Sequence, residues 1–218
     1  MNSRDAILSR IRSGLAHDAP RTQPPAPEVW PRENPSVEQM AARFAVELEA
    51  VQGETLRAGS MEEARAKLAE VVEQAQWQTL GAVDRPICRE LTASLGPERV
   101  AWVTADWTPR QIADLPAGLI AAEYLLADTG SSVVANGTPH ERLMCYLPPA
   151  CVVVARTDQL REHLPAAWPE IAARAADLAT RGEFVFITGP SRTADIEKIL
   201  ILGVHGPKRL IVMLVGPT

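Results

Sequence analysis

The chain has 218 residues, of which 46% are hydrophobic and 22% are charged, and this composition suits one substantial folded domain with an N-terminal extension. Its formal net charge of −5 argues against a nucleic-acid or anionic-membrane partner, because both select a clustered positive surface. The first residues lack the apolar core of a signal peptide, and no apolar run reaches the ~18 residues of a membrane span, so we expect a soluble, cytoplasmic protein.

The N-terminal region predicts a short helix followed by a proline-rich arm. Apolar residues recur at helical spacing from Asn2 to Leu15. Six prolines then fall between His17 and Pro35, a density that forbids a regular helix or a central strand. We therefore divide the chain into an N-terminal helix and arm at residues 1–35 and an α/β domain at residues 36–218.

The first part of the α/β domain predicts two amphipathic helices separated by short strands. Ser36 with Gln39 and Ser60 with Glu63 have the spacing of the capping box, and apolar residues follow each pair at helical intervals. Shorter elements complete this part: strands at Gly53–Leu56, Gln78–Val83 and Val100–Thr104, and a helix near Arg89.

Beyond Gly118 the chain consists largely of short, strongly apolar runs. These are Leu119–Ala127, Ser131–Ala135, Cys151–Ala155, Phe184–Thr188 and Leu210–Val215. Near-continuous apolar runs are typical of strands that are covered on both faces. A helix from Trp168 to Ala179, ended by Gly182, separates the third run from the fourth, which predicts a right-handed βαβ crossover. A tight hairpin is predicted at Asp128–Ser131. The fold class is therefore α/β, with a mixed, largely parallel sheet flanked by helices.

The cysteine and histidine patterns give no indication of a cofactor or a metal on this chain. Cys88, Cys145 and Cys151 form no CxxC pair and are too few for the four thiolates that an iron–sulfur cluster normally needs. We expect them to be reduced, partly buried thiols. No HxxxH or HxH pair occurs, and the Walker A, GxGxxG and GxSxG signatures are absent.

A first candidate loop contains Asp128, Thr129 and Ser131. One interpretation is a simple hairpin, because Asp and Gly are favoured turn residues and hydroxyls bond to nearby backbone. The functional interpretation makes Asp128 a catalytic acid, base or nucleophile at the end of a strand, with Thr129 and Ser131 as hydrogen-bond donors to a ligand.

A second candidate loop follows the strand Phe184–Thr188. Its candidate ligand-binding residues are Thr188, Gly189, Ser191, Arg192 and Thr193. Ser191 or Thr193 is expected to cap a following helix, whose free N–H groups beside Arg192 suit an anion. Asp195 and Glu197 already place negative charge there, which favours a mono-anion over a phosphate. The alternative is a well-capped helix with a surface pair between Arg192 and Asp195.

A third candidate is His205, which lies between Gly203 and Gly206 and suits proton transfer at neutral pH. The alternative is a structural histidine that donates to a nearby carbonyl. Because ligands of open α/β sheets collect beyond the carboxyl ends of strands, we expect the three loops to form one shared cavity.

Together these loops resemble the LUD-domain family, in its lactate utilisation protein C branch. The resemblance is carried by residues 127–131, 147–149, 186–197 and 203–207, and it extends over roughly Gly118 to Val215. It implies a fold related to ribose-5-phosphate isomerase, glucosamine-6-phosphate deaminase and CoA-transferases. It also implies a role in the oxidation of L-lactate to pyruvate, beside two partner proteins of which at least one carries iron–sulfur clusters.

One residue departs from the family pattern. The family usually has glutamate where this chain has Asp128, in a Glu-Thr-Gly pattern that resembles the nucleophilic glutamate of CoA-transferases. Aspartate is one methylene shorter, which withdraws the carboxylate by ~1.5 Å. Covalent acyl transfer needs close placement of the nucleophile, so the departure argues against carrying that chemistry over.

Three functions remain open from the sequence. The leading hypothesis is a non-redox, substrate-handling subunit of a lactate oxidation system, in which Arg192 and the Thr188–Thr193 loop bind a carboxylate. A second is a stand-alone isomerase or acyl-transferase-like enzyme on a small anionic metabolite, with Asp128 and His205 as its catalytic pair. A third is a scaffold that docks through the proline-rich arm.

Overall fold

A computed structural model describes residues 3–16, 29–177, 183–194, 200–203 and 205–216. It separates two compact units, Met1–Pro31 and Arg32–Thr218. The first unit contains helix α1 (Ser3–Ala16), which agrees with the helix predicted from Asn2 to Leu15. Residues 17–28 of the predicted proline-rich arm lie outside the described residues.

The second unit contains the α/β architecture. Its helices are α2 (Val37–Ala50), α3 (Met61–Gln74), α4 (Pro86–Thr92), α5 (Pro109–Ala113), α6 (Pro139–Met144) and α7 (Leu164–Ala176). Its strands are β1 (Glu54–Ala58), β2 (Leu80–Ala82), β3 (Val100–Trp102), β4 (Gly118–Ala121), β5 (Tyr124–Leu126), β6 (Ser131–Asn136), β7 (Ala150–Arg156), β8 (Leu160–Arg161), β9 (Glu183–Ile187), β10 (Arg192–Ala194), β11 (Leu200–Leu202) and β12 (Arg209–Val215). None of the helices in the described part of the chain has the length and apolar character that a membrane crossing requires.

The two predicted helix starts are capped by side chains. At α2 the capping box is complete, because Ser36 accepts the Gln39 amide and the Gln39 side chain accepts the Ser36 amide. At α3, Ser60 accepts the Glu63 amide, but the Glu63 carboxylate accepts from the amide of Gly59 instead. Both starts therefore lie where the sequence places them.

The main sheet has six strands in the order β1-β12-β7-β4-β2-β3, and every neighbouring pair is parallel. Strand β7 has six consecutive buried residues, from Ala150 to Ala155. Burial without alternation means that both faces of the sheet are covered. This sheet and its helices confirm the predicted fold class.

A second sheet of four strands, in the order β8-β5-β6-β9, lies between the main core and α7. One of its faces contributes Leu125 and Val134 to the main core. Its other face packs Leu126 and Val133 against Ala167 and Ile171, the latter two from α7. The hairpin predicted at Asp128–Ser131 is confirmed, since β5 and β6 are antiparallel, with Leu126 opposite Ser131.

The apolar run Leu119–Ala127 was expected to form one strand, and that expectation is wrong. The run is divided between β4 in the main sheet and β5 in the second sheet. The Ala122 amide still donates to the Val154 carbonyl of β7, whereas the Glu123 amide donates to the Val133 carbonyl of β6. The chain therefore changes sheets between two successive residues.

The predicted βαβ crossover through α7 is also wrong. Strand β7 belongs to the main sheet, whereas β9 belongs to the second sheet and is antiparallel to β6. The two-residue strand β8 (Leu160–Arg161) pairs with β5 and carries the chain into the second sheet before α7 begins. Helix α7 consequently connects two strands of the smaller sheet.

Candidate functional site

Four of the predicted site residues lie at one edge of the second sheet. Asp128 and Thr129 follow β5, Ser131 begins β6, and Thr188 follows β9. The Ser131 hydroxyl is 2.8 Å from that of Thr129 and 2.7 Å from that of Thr188. Ser131 is only 4% exposed, whereas Thr129 and Thr188 are exposed to solvent. We call these four residues, Asp128, Thr129, Ser131 and Thr188, the hydroxyl edge.

Asp128 contributes an available acceptor to the hydroxyl edge. Its amide donates to the Glu162 carbonyl over 3.1 Å, which ties the hairpin to the segment after β8. Its carboxylate oxygen Oδ1 is buried and has no hydrogen-bond partner in the described part of the chain. A buried acceptor without a partner is unfavourable, so a ligand that donates a hydrogen bond to this oxygen would be stabilised.

Two glycines hold the loops of the hydroxyl edge against α2. Gly130 has a φ of +62°, and a Cβ there would lie 2.4 Å from the amide nitrogen of Leu48. Gly189 has a φ of +91°, and a Cβ there would lie 2.9 Å from Cγ2 of Val51. Only glycine permits this backbone geometry at this distance. Gly189, a predicted ligand-binding residue, therefore packs its loop against the C-terminal end of α2.

The helix expected after Ser191 is replaced by strand in the described residues. Residues Arg192–Ala194 form β10, which is antiparallel to β11, with Thr193 opposite Ile201. The Ser191 amide donates to the Pro207 carbonyl, and the Ser191 carbonyl accepts from the Gly203 amide. The predicted helix cap is therefore wrong for Ser191, because its backbone pairs with a distant loop. Asp195 and Glu197, which were expected in the first helical turn, lie outside the described residues.

His205 lines a cleft whose lining residues do not include the hydroxyl edge. The cleft has a volume of about 410 Å³ and is lined by Tyr146, Leu147, Pro149, Gly203, His205, Gly206 and Lys208. The Lys208 amide donates to the Pro149 carbonyl, so the cleft lies where β7 and β12 begin, at the amino edge of the main sheet. In the described part of the chain no hydrogen bond joins His205 to Asp128.

Sequence reasoning missed two buried polar residues beside the hydroxyl edge. Glu162 is 8% exposed, and its Oε1 accepts the Glu33 amide over 2.9 Å. His163 is 4% exposed and caps α7, because its Nδ1 accepts the Ala166 amide over 3.1 Å. Its Nε2 is buried without a partner and is 4.0 Å from Oε2 of Glu162. The available signal was Pro165, since proline favours the first turn of a helix and indicates a cap within the two residues before it.

The family is decided by comparison with known sequences. The profile of the LUD domain matches residues 41–215, which is most of the chain. The chain belongs to the LUD-domain family. Among solved structures, this LUD-domain chain resembles the crystal structure of a DUF162 family protein from Deinococcus radiodurans. The TM-score is 0.61 at 16% identity, and the match covers 84% of this chain and 99% of that one. This likeness supports the fold.

Curated relatives match part of the LUD-domain chain. Lactate utilization protein C of Halalkalibacterium halodurans is 33% identical over 93 residues, which cover 42% of this chain and 40% of the relative. Lactate utilization protein C of Bacillus subtilis is 30% identical over 100 residues, which cover 45% and 42%. The uncharacterized protein YkgG of Escherichia coli is 30% identical over 103 residues, which cover 45% and 43%. The chain thus spans about two fifths of the length of the curated relatives that it matches.

The thiols of the LUD-domain chain are poor metal ligands in this fold. Cys88, Cys145 and Cys151 are all buried and free. Burial raises the pKa of Cys88 and of Cys145 to about 12, and it raises the pKa of Cys151 well above the ordinary value. A thiol must be deprotonated to bind a metal. Within the described ranges, no three His, Cys, Asp or Glu side chains come together as a metal site.

We expect the three thiols to resist modification in the folded protein. At pH 8 a thiol-specific disulfide reagent should label none of them within minutes and all of them after unfolding in guanidinium. The unfolded chain releases these protons near pH 9, before the folded chain does, so stability is intact below pH 9 and falls as the pH rises towards about 12. Rapid labelling of a native thiol would contradict the burial.

Proposed function

We propose that this LUD-domain chain is the non-redox, substrate-handling component of a cytoplasmic lactate utilisation system, working beside iron–sulfur proteins. The relatives named lactate utilization protein C support the role in lactate utilisation. The buried, protonated thiols support placing the redox centres on other subunits. The hydroxyl edge is the proposed binding site for the small carboxylate.

The main support for this binding site is the hydrogen-bonded chain of three hydroxyls beside Asp128. Each hydroxyl donates one hydrogen bond and accepts others, so the two hydrogen bonds within the chain leave one donor that can be turned towards a carboxylate. Ser131 at its centre is buried, where a hydrogen bond is electrostatically stronger than in water. These properties suit a small, hydroxylated mono-anion.

Arg192 is the proposed source of positive charge. It follows Thr188 by four residues, and its exposed side chain makes no ion pair with a described residue. A guanidinium binds a carboxylate through two parallel hydrogen bonds. It would also offset the negative charge of Asp128 near a bound anion.

The alternative enzyme needs Asp128 and His205 to act on one substrate. General acid–base partners act within hydrogen-bond reach or through one water. The residues that line the His205 cleft do not include Asp128 or any other member of the hydroxyl edge. The substrate-handling role is therefore the better supported of the two. The relation to ribose-5-phosphate isomerase and the CoA-transferases stays a prediction.

Calorimetric titration of the full chain tests the proposed function. The ligands are L-lactate and pyruvate, with a sugar phosphate and a CoA ester as competing classes. We expect the small carboxylates to bind and to raise the melting temperature, as any ligand of the native state does. Binding of the phosphate or the CoA ester alone would contradict the proposal and favour the stand-alone enzyme. Recovery of iron–sulfur proteins with the tagged chain from native extract tests the partnership separately.

A further inference from the structure

His163 and Asp128 carry two unpaired, buried polar atoms on neighbouring stretches of chain. Nε2 of His163 and Oδ1 of Asp128 both lack a partner in the described part of the structure. The Asp128 amide donates to the carbonyl of Glu162, the residue that precedes His163. Ala127 and Glu162 line the same small cavity against α2, and Asp128 and His163 are the next residue on each stretch. The two side chains that carry the unpaired atoms therefore extend from adjoining backbone segments.

The hydrogen bond by which His163 caps α7 determines whether the other ring nitrogen of His163 is a donor or an acceptor. In a neutral imidazole one nitrogen donates and the other accepts. Nδ1 accepts the Ala166 amide, so in the neutral ring the proton lies on Nε2. The nearest acid oxygen, Oε2 of Glu162, is 4.0 Å away, which is too far for a hydrogen bond. His163 thus presents an unused donor, and the carboxylate of Asp128 presents an unused acceptor.

One ligand group can satisfy both atoms only if it accepts and donates. A hydroxyl group does both, since its oxygen accepts from Nε2 of His163 while its hydrogen is donated to Oδ1 of Asp128. A keto oxygen accepts from His163 but has no hydrogen to donate, and it would turn its lone pairs towards the carboxylate. A site in which both atoms meet one ligand group would therefore distinguish a hydroxyl from a keto oxygen on the same carbon.

We propose that His163 and Asp128 together bind the hydroxyl group of the ligand and select a 2-hydroxy acid over the corresponding 2-oxo acid. This inference rests on the proposed function, because it takes the hydroxyl edge as the site for the carboxylate. It adds His163 to that site and gives Asp128 a non-covalent role. A binding role needs no nucleophile, so the aspartate found in place of the family glutamate is compatible with it.

The test compares three acids of the same length by titration of the full chain. L-lactate has the hydroxyl, pyruvate has the keto oxygen, and propionate has neither. We expect L-lactate to bind about tenfold more tightly than pyruvate, which is the size of one well-placed hydrogen bond to a charged group. A ligand lacking the hydroxyl leaves both buried atoms unpaired, so propionate should bind more weakly than L-lactate.

Two substitutions separate the roles of the pair. His163→Asn keeps a side chain that caps helices well but is too short to place an N–H at the position of Nε2. It should lower the affinity for L-lactate about tenfold. Asp128→Asn offers an amide hydrogen, which can be donated to a keto oxygen, and should shift the lactate-to-pyruvate preference towards pyruvate.

His140→Asn is the matched control. His140 also has an unpaired buried ring nitrogen, but it follows the opposite end of β6 from the hydroxyl edge. It should leave all three affinities unchanged. Equal binding of L-lactate and pyruvate by the wild-type chain would overturn the selectivity. Unchanged L-lactate binding in a folded His163→Asn chain would overturn the role of His163. Both results would leave the proposed function intact. Failure of all three acids to bind would overturn both.

Discussion

Replacing Gly130 with alanine is expected to lower the free energy of unfolding by about 3–5 kcal/mol. The φ of +62° already strains an alanine, and its Cβ would lie 2.4 Å from the Leu48 nitrogen and 2.8 Å from the Leu48 Cα. These are backbone atoms inside α2, so no side-chain rotation relieves the contact. The hairpin must move away from the helix, and the hydroxyl edge moves with it. Thermal or chemical denaturation of the variant measures the loss.

Gly137→Ala is the matched control for this prediction. It lies beyond the other end of β6, and the nearest atom to its added Cβ would be Oε2 of Glu141 at 3.7 Å, an ordinary contact. We expect a change within about 0.5 kcal/mol there. If both alanine variants unfold at the same denaturant concentration, the close packing of the hairpin on α2 is refuted.

Removing all three hydroxyls of the hydroxyl edge is expected to weaken L-lactate binding about a hundredfold. The variant combines Thr129→Ala, Ser131→Ala and Thr188→Ala. The donor that the three hydroxyls leave free makes a hydrogen bond to a charged carboxylate, which contributes about 1.5–3 kcal/mol, and about 2.8 kcal/mol corresponds to the expected factor. Because two of the hydroxyls reach solvent, the stability of the chain should fall much less than its affinity. Titration calorimetry and thermal denaturation measure the two effects separately.

Ser94→Ala combined with Thr104→Ala controls for the loss of hydroxyl groups as such. Both residues are exposed, and they follow α4 and β3 in the main sheet region rather than the second sheet. Their removal should leave L-lactate binding unchanged. Equal affinities in the control and in the three-hydroxyl variant would show that the carboxylate does not bind at the hydroxyl edge.

The hydroxyl edge could be found from the sequence because its members mark the ends of recognisable strands. Asp128 to Ser131 form a hairpin signal between two apolar runs, and Thr188 ends another run. The contact between Ser131 and Thr188 spans 57 positions in the chain, and it depends on the pairing of β6 with β9. Hydrophobic patterning predicts each strand but not its neighbour, so the convergence of these hydroxyls required the structure.

The division into two sheets could not be predicted from hydrophobic patterning. The run Leu119–Ala127 is apolar throughout, and the exchange of hydrogen-bond partners at Ala122 and Glu123 leaves no trace in it. Strand β8 has only two residues, which is too short to give an alternation signal. Without β8, the sequence strand–helix–strand reads as a parallel crossover, although α7 connects strands of the smaller sheet.

His163 was missed for a different reason. A lone histidine in a polar stretch carries no pattern. Pro169 interrupts the helix that His163 caps, so the sequence predicts the start of that helix at Trp168 instead of at Leu164. Its position next to Asp128 follows only from the pairing of β8 with β5. Ser191 shows the reverse case, because a typical cap sequence there leads into strand β10 through pairing with the 203–207 loop.

The crystal structure of the chain with L-lactate bound is the decisive test of the hydroxyl edge as the binding site for the carboxylate. We predict electron density for the acid at the hydroxyl edge, with oxygen atoms within hydrogen-bond distance of Ser131 and Thr188. Density in the cleft of Tyr146 and His205 instead, with the hydroxyl edge holding only water at saturating L-lactate, would contradict the account.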